Sequence, residues 1–219
     1  MSNTATILPR TVYSSPRQQQ RQHRILTVVR EQISAKGYDG INMREIAAIS
    51  GVAPKTLYNL YGSKDELLLA AVDELLHEVR RQESAMVAEQ GVMRYLAHTE
   101  SIARQIISTP AYADTMARTL FQVGRDHPLV DLLLGNAVRL AQDNLQQAQL
   151  KEELKETIEL AEIAQTLVSH QWGIVLLWNK GIISSESLPS IMQRSNLLVL
   201  IPLCKGKCRE NLEQQLSLL

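Results

Sequence analysis

The chain has 219 residues, 45% hydrophobic and 21% charged, with 23 basic and 23 acidic side chains. That is length enough for one large domain or two modest ones, with a core that needs no staples. Two cysteines, Cys204 and Cys208, are too few for a disulfide framework or a four-ligand zinc site. The longest apolar run, 197–204, spans eight residues including Pro202, well short of the roughly 18 that a membrane span needs. No apolar h-region marks the start as a secretory signal, so a cytoplasmic protein without membrane contact is expected.

The zero net charge hides an asymmetry. Residues 1–64 carry nine basic and three acidic side chains, a balance of +6; the remaining 155 carry 14 and 20, a balance of −6. A basic end on an acidic body is the distribution that nucleic-acid contact at one end demands.

Residues 1–16 are polar, with Pro9 and Pro16, and are expected to form a flexible arm. From about Arg17 to Lys36, apolar residues Ile25, Leu26, Val28, Val29 and Ile33 recur at helical spacing. Gly37 stops this helix. Asn42, with Glu45 three residues on, reads as a capping box for a second helix over 43–50 that buries Ile46, Ala47 and Ile49. Gly51 ends it, and Pro54 opens a short third helix ending near Tyr61 and Gly62. Ser63 caps a fourth, with Asp65 and Glu66 in its first turn where the helix dipole favours acids.

Helical patterning then continues over 63–89, 92–108, 110–123, 128–149, 154–180 and 187–203, with a tail to 219, punctuated by Gly91, Pro110, Gly124, Pro128 and Gly181. No alternation long enough for a sheet occurs. The expected fold class is all-α: a helix-turn-helix domain over 17–64 and a helical domain over 65–219.

Enzyme chemistry has no foothold. HExxH, GxSxG and glycine-rich phosphate loops are absent, and His23, His77, His98, His127 and His170 are scattered. No cofactor or metal is expected. Cys204 and Cys208 flank lysines that would lower a thiol pKa, but two incidental thiols in a loose tail are the plainer reading.

The decisive stretch is 41–68, INMREIAAISGVAPKTLYNLYGSKDELL. Two short helices joined at Gly51-Val52-Ala53 have helix-turn-helix geometry, in which the second helix enters the major groove. Val52 plugs the core between them with Ala47 and Leu57. The exposed side of the second helix carries Lys55, Thr56, Tyr58 and Asn59.

The ordered string REIA…SGVAPKTLYNLYGSKDELL resembles the DNA-binding domain of TetR-type (tetracycline-repressor-like) regulators over about residues 20–70. The resemblance implies phosphate contacts by Arg44, Thr56, Tyr58 and Lys64. It leaves Lys55 and Asn59, with Pro54 as an apolar neighbour, for base edges, because lysine suits guanine and asparagine suits adenine. Tyr61 is expected in the core. Where the family often has Ser or Thr, this chain has Ala53, which can neither cap the helix nor touch phosphate.

The same resemblance implies a body whose last two long helices pair with a second copy. Leu160, Ala164, Leu167, Val168 and Val175, with Leu197, Leu198 and Ile201, form the apolar stripe expected at such a twofold homodimer interface. It further implies a small, mainly apolar effector whose binding releases double-stranded DNA, making the chain a repressor. Met93, Tyr95, His98, Ile102, Met116, Phe121, Trp172 and Trp178 are the candidates for its pocket, with Met86 and Tyr112 beside them. The alternative is a helical interaction or assembly protein that has no effector.

Overall fold

A computed structural model describes residues 15–86, 90–156 and 158–219. The arm foreseen over 1–16 therefore falls almost wholly outside the described residues, as does the side chain of Met86. Ser15 and Pro16, assigned to that arm, instead start the first helix. Ser15 and Gln18 form a reciprocal capping box, each side chain accepting from the other's backbone N–H, and Pro16 occupies the first turn.

Four helices follow one another closely: α1 (Pro16–Lys36), α2 (Met43–Ile49), α3 (Pro54–Tyr61) and α4 (Lys64–Met86). Asn42 caps α2 by accepting from the Arg44 N–H at 2.8 Å, an interaction whose loss typically costs about 1 kcal/mol. The capping box expected with Glu45 does not close, because the Glu45 carboxylate pairs with Lys36 of α1 instead. Ser63 caps α4 through the Glu66 N–H at 3.1 Å.

The rest is α5 (Val92–Ser108), α6 (Pro110–Gln122), α7 (Pro128–Val130), a π-helical turn at Asp131–Gly135, α8 (Asn136–Leu150), α9 (Leu160–Asn179), α10 (Leu188–Leu200) and α11 (Gly206–Ser217). Among the described residues there is no strand, only an isolated bridge between Leu154 and Cys204. The helix expected over 154–180 begins only at Leu160. Glu152 takes a left-handed conformation (φ 58°), and the Glu153 N–H bonds back to Ala148 O at 2.9 Å, closing α8. Residues 153–155 then run extended beside 203–205, held by Lys155 N–H to Leu203 O and Lys205 N–H to Glu153 O. Glu153 also accepts from the Val92 N–H at 3.1 Å, capping α5.

The tail expected after 203 is likewise ordered. Pro202 follows the end of α10, α11 packs back on α10, and Leu212 and Cys204 are fully buried. The Cys204 thiol donates to the Cys208 sulfur. That bond, with burial behind it, raises the Cys204 pKa, and the same bond lowers that of Cys208.

Three buried clusters hold the molecule. The first joins α1–α4 to Tyr112, Met116 and Leu120 of α6. The second lies among α5, α8, α9, α10 and α11. The third is built on Ala103, Ala117, Val175, Trp178 and Met192. Trp172 packs against all three. The basic head and the acidic body thus share α4 and α6. Arg30 of α1 fixes the joint by donating to Glu74 of α4 at 2.7 Å, in a partly buried geometry where a charge-assisted bond is worth more than on the surface.

Candidate functional site

The head presents α3 on two conditions set by the residues before it. Gly51 adopts φ 67°, a left-handed backbone that a Cβ would strain, and this turns the chain sharply out of α2. Val52 is half-buried against the head core, and its N–H bonds to Ala47 O at 2.9 Å. Pro54 then begins α3 behind Ala53, which makes no side-chain cap.

Leu57 is the one buried residue of α3, and it is fully buried. Everything around it faces outward. Lys55, Tyr58 and Asn59 are exposed and Thr56 is partly so, with Tyr58 48% accessible. Lys55 and Asn59 stand one turn apart and so share a face. An aromatic ring left half in water beside a lysine and an asparagine is not explained by core packing. Tyr61, in contrast, turns inward against the head cluster. Its phenol is pushed up to about 12, mainly by burial and then by Glu74, against the opposing pull of Arg21.

Arg44, at the start of α2, is exposed. Lys64 is placed less openly: its ammonium lies 4.4 Å from the centre of the Tyr38 ring and donates to Asp39 O at 3.2 Å. Ile49, expected inside, is 50% exposed, because α2 has only two turns and its inner face is already filled by Met43, Ile46 and Ala47.

The body holds a cavity of about 170 Å3 between α4, α5, α6, the start of α8, α9 and α10. Of the residues foreseen for a pocket, Tyr95, His98, Ile102, Met116, Trp172 and Trp178 line it, as does Tyr112. Met93 and Phe121 do not. Met93 packs into the second cluster, its sulfur accepting from Gln215. Phe121 is 45% exposed and meets Trp172 edge-on from outside, with ring centroids 6.3 Å apart.

The wall missed in the sequence is α4, which contributes Val72, Leu75, Leu76, Val79 and Arg80. Its apolar stripe is indistinguishable from ordinary core spacing. Polar groups are few and mostly tied. The Gln171 amide donates to Tyr95 Oη at 2.5 Å, and Thr99 Oγ1 accepts from Asn196 at 3.0 Å. Among the described residues, the buried Tyr112 hydroxyl has no hydrogen-bond partner. Burial raises the pKa of both tyrosines.

The apolar stripe of α9 and α10 is largely taken up within one chain. Ala164, Leu167, Val168, Val175 and Leu197 are buried in the body's own clusters, because α9 is flanked by α6, α8 and α10. Leu160 and Ile201 are half-buried, and Leu198 is 59% exposed. Leu176 and Leu177 are the further large apolar residues that these two helices leave facing out.

Fold and exposed second helix together define a helix-turn-helix head on an all-helical body. Residues 25–71 match the family of bacterial regulatory proteins of the tetR type. A TetR-family transcriptional regulator from Rhodococcus sp. has the same fold, with a TM-score of 0.69 at 19% identity over 83% of this chain and 98% of its own. One from Syntrophomonas wolfei gives 0.70 at 16% identity, covering 83% and 96%. The Thermus thermophilus repressor FadR, crystallised with lauroyl-CoA, gives 0.63 at 18% identity, covering 85% and 96%. No curated protein matches the sequence. The head thus matches the tetR-type DNA-binding region, and the whole chain has the fold of those regulators. Among the described residues, no helix is long and apolar enough to cross a membrane.

Proposed function

We propose that the chain is a cytoplasmic, dimeric repressor that binds a palindromic operator and leaves it when a small ligand fills the body cavity. The observation that carries this reading is the outer face of α3. Lys55, Tyr58 and Asn59 are held outward by a single buried leucine and serve no packing purpose. In this reading Lys55 and Asn59 meet base edges, with Pro54 against them. Arg44, Thr56 and Tyr58 hold phosphates, and Lys64 does so after leaving Tyr38.

Twofold pairing follows from groove geometry, since two recognition helices must sit one helical turn, about 34–36 Å, apart. The face that pairs is the outward one, around Leu176, Leu177 and Leu198, rather than the inward stripe. Coupling runs through α4 and α6. Both line the cavity, and both also contribute to the head's own core through Leu67, Leu68, Met116 and Leu120. A ligand that spreads the cavity walls therefore acts on the elements that carry α3. A protein of the same fold, the Thermus thermophilus FadR, binds a small molecule, lauroyl-CoA.

Selection of bound sequences from a random duplex library, at near-physiological salt, tests this. An enriched palindrome is expected, with affinity that falls steeply as salt rises because phosphate contacts release counterions. No enriched sequence would overturn the reading in favour of a helical interaction protein.

A further inference from the structure

The segment that carries the two cysteines is built rather than loose, and it lies outside both α3 and the chamber. The Cys204 N–H is shared between Leu200 O at 3.0 Å and Ile201 O at 3.3 Å, and Cys204 forms the isolated bridge with Leu154. The next residue, Lys205, donates to Glu153 O at 2.9 Å. Gly206 then turns the chain into α11 with φ 56°. Cys208 is the third residue of that helix, and the turn brings its sulfur back to accept from the Cys204 thiol.

Both side chains pack in the second buried cluster, yet they differ in access. Cys204 is fully buried, whereas Cys208 is partly exposed. They differ in charge preference as well. Lys205 gives α11 no side-chain cap, and an anion in the first turn of a helix is favoured by the dipole. The hydrogen bond from Cys204 holds the Cys208 thiol below its usual range, against burial and the Glu153 carboxylate. One thiol is thus an accessible nucleophile, and the other is a buried partner already in contact with it. That is the division of labour by which an attacking and a resolving cysteine close a disulfide.

We propose that Cys204 and Cys208 form a reversible redox site that a hydroperoxide closes to an intramolecular disulfide, Cys208 attacking and Cys204 resolving. The Cys208 thiolate sulfur attacks the outer oxygen of the peroxide. The O–O bond breaks, the alkoxide leaves and takes a proton from water, and Cys208 becomes a sulfenic acid. The Cys204 sulfur then attacks the Cys208 sulfur. The S–S bond forms as the hydroxyl departs with the Cys204 proton as water. The two thiols give up two electrons, and the peroxide is reduced to an alcohol and water. Among the described residues, no atom lies within 4 Å of where a Cβ would stand on Gly206. The turn can therefore give as the sulfurs close to the roughly 2.0 Å of a disulfide.

The reduced full chain is treated with equimolar cumene hydroperoxide, and its mass and free thiols are followed. Both thiols should vanish together, with a mass loss of two hydrogen atoms, and a dithiol reductant should restore them. Trypsin cuts after Lys205 and Lys207, which separates the two cysteines, so a disulfide-linked peptide pair locates the bond. Single variants separate the roles. In Cys204→Ser, Cys208 should stop at a sulfenic acid that dimedone traps. In Cys208→Ser, Cys204 should react with the peroxide at least about tenfold more slowly.

A disulfide between two chains, loss of one thiol without the other in the parent protein, or equal reactivity of the two single variants overturns the assignment. The peptide map is made on the parent chain, so a variant that fails to fold leaves the test intact.

Discussion

The head and the body carry their candidate sites on opposite sides of their packing. In the head, the candidate groups are those left outside the core: Lys55, Tyr58 and Asn59 project from α3, which Leu57 and Tyr61 hold against the head cluster. In the body, the candidate site is space that packing leaves unfilled, a chamber whose walls come from six helices between Val72 and Met192. A surface site of the first kind survives many changes in the core beneath it. A cavity of the second kind is altered by any one of its walls. The two meet in α4 and α6, which belong to both.

The largest expected effect attacks the anchor of the head. Leu57→Ala should destabilise the chain by about 2–5 kcal/mol in urea unfolding, and weaken DNA binding for every sequence. Unchanged stability would mean that α3 is held by something other than its one buried leucine.

Next come the exposed groups themselves. Lys55→Ala and Asn59→Ala should each relax preference at particular base pairs by about 1–3 kcal/mol. Tyr58→Ala should weaken all sequences alike, as loss of a phosphate contact does. Competition binding against single-base operator variants separates the two patterns; uniform loss in all three mutants would erase the division of roles.

In the body, Ala113→Leu adds bulk on the α6 wall of the chamber. Because the space is vacant, the fold should change by less than the roughly 1–3 kcal/mol of overpacking in a filled core. Operator affinity should hold and ligand-driven release should disappear. Release that persisted would place the effector elsewhere.

The smallest effect is electrostatic. The Arg139 guanidinium holds the Asp131 carboxyl below its usual range. The pair therefore adds stability above the unfolded carboxyl value of about 4, and that stability is lost as pH falls through the lower folded value. Both side chains are largely exposed, so Asp131→Asn should cost less than about 1 kcal/mol at neutral pH. The gap to the parent protein should close in acid unfolding curves.

How much could be read in advance follows the same division. Asn42, Gly51, Pro54 and Ser63 act within one turn of their own positions, so the boundaries and order of α2, α3 and α4 were legible from residue type. So was the outward face of α3, because Leu57 plugs the small core beside Val52 and Ala47 and leaves Lys55, Thr56, Tyr58 and Asn59 on the other side. Errors arose where local signals compete with distant partners. Glu45 had the right spacing for a capping box, yet Lys36 of the neighbouring helix claims it. Residues 154–159 read as a helical continuation, yet the strap at 203–205 holds part of them extended.

Cavity membership was half legible. Large side chains such as Trp172 and Tyr95 were conspicuous, but the α4 wall from Val72 to Arg80 carries no mark of its own. The wide apolar surface of α9 announced burial without saying against what; three helices of the same chain turned out to take most of it.

By itself, then, the sequence determined an all-helical chain with a basic head, a capped helix-turn-helix and the identity of the side chains on the outward face of α3. Caps, turns and periodicity depend on neighbours within four residues, and residue type alone specifies those. Only the tertiary structure decided which apolar faces meet one another, where they fail to meet and leave a chamber, and that Arg80 is among the residues lining it. Those outcomes depend on contacts between segments far apart in the chain, where many apolar pairings are similar in strength and packing geometry selects among them.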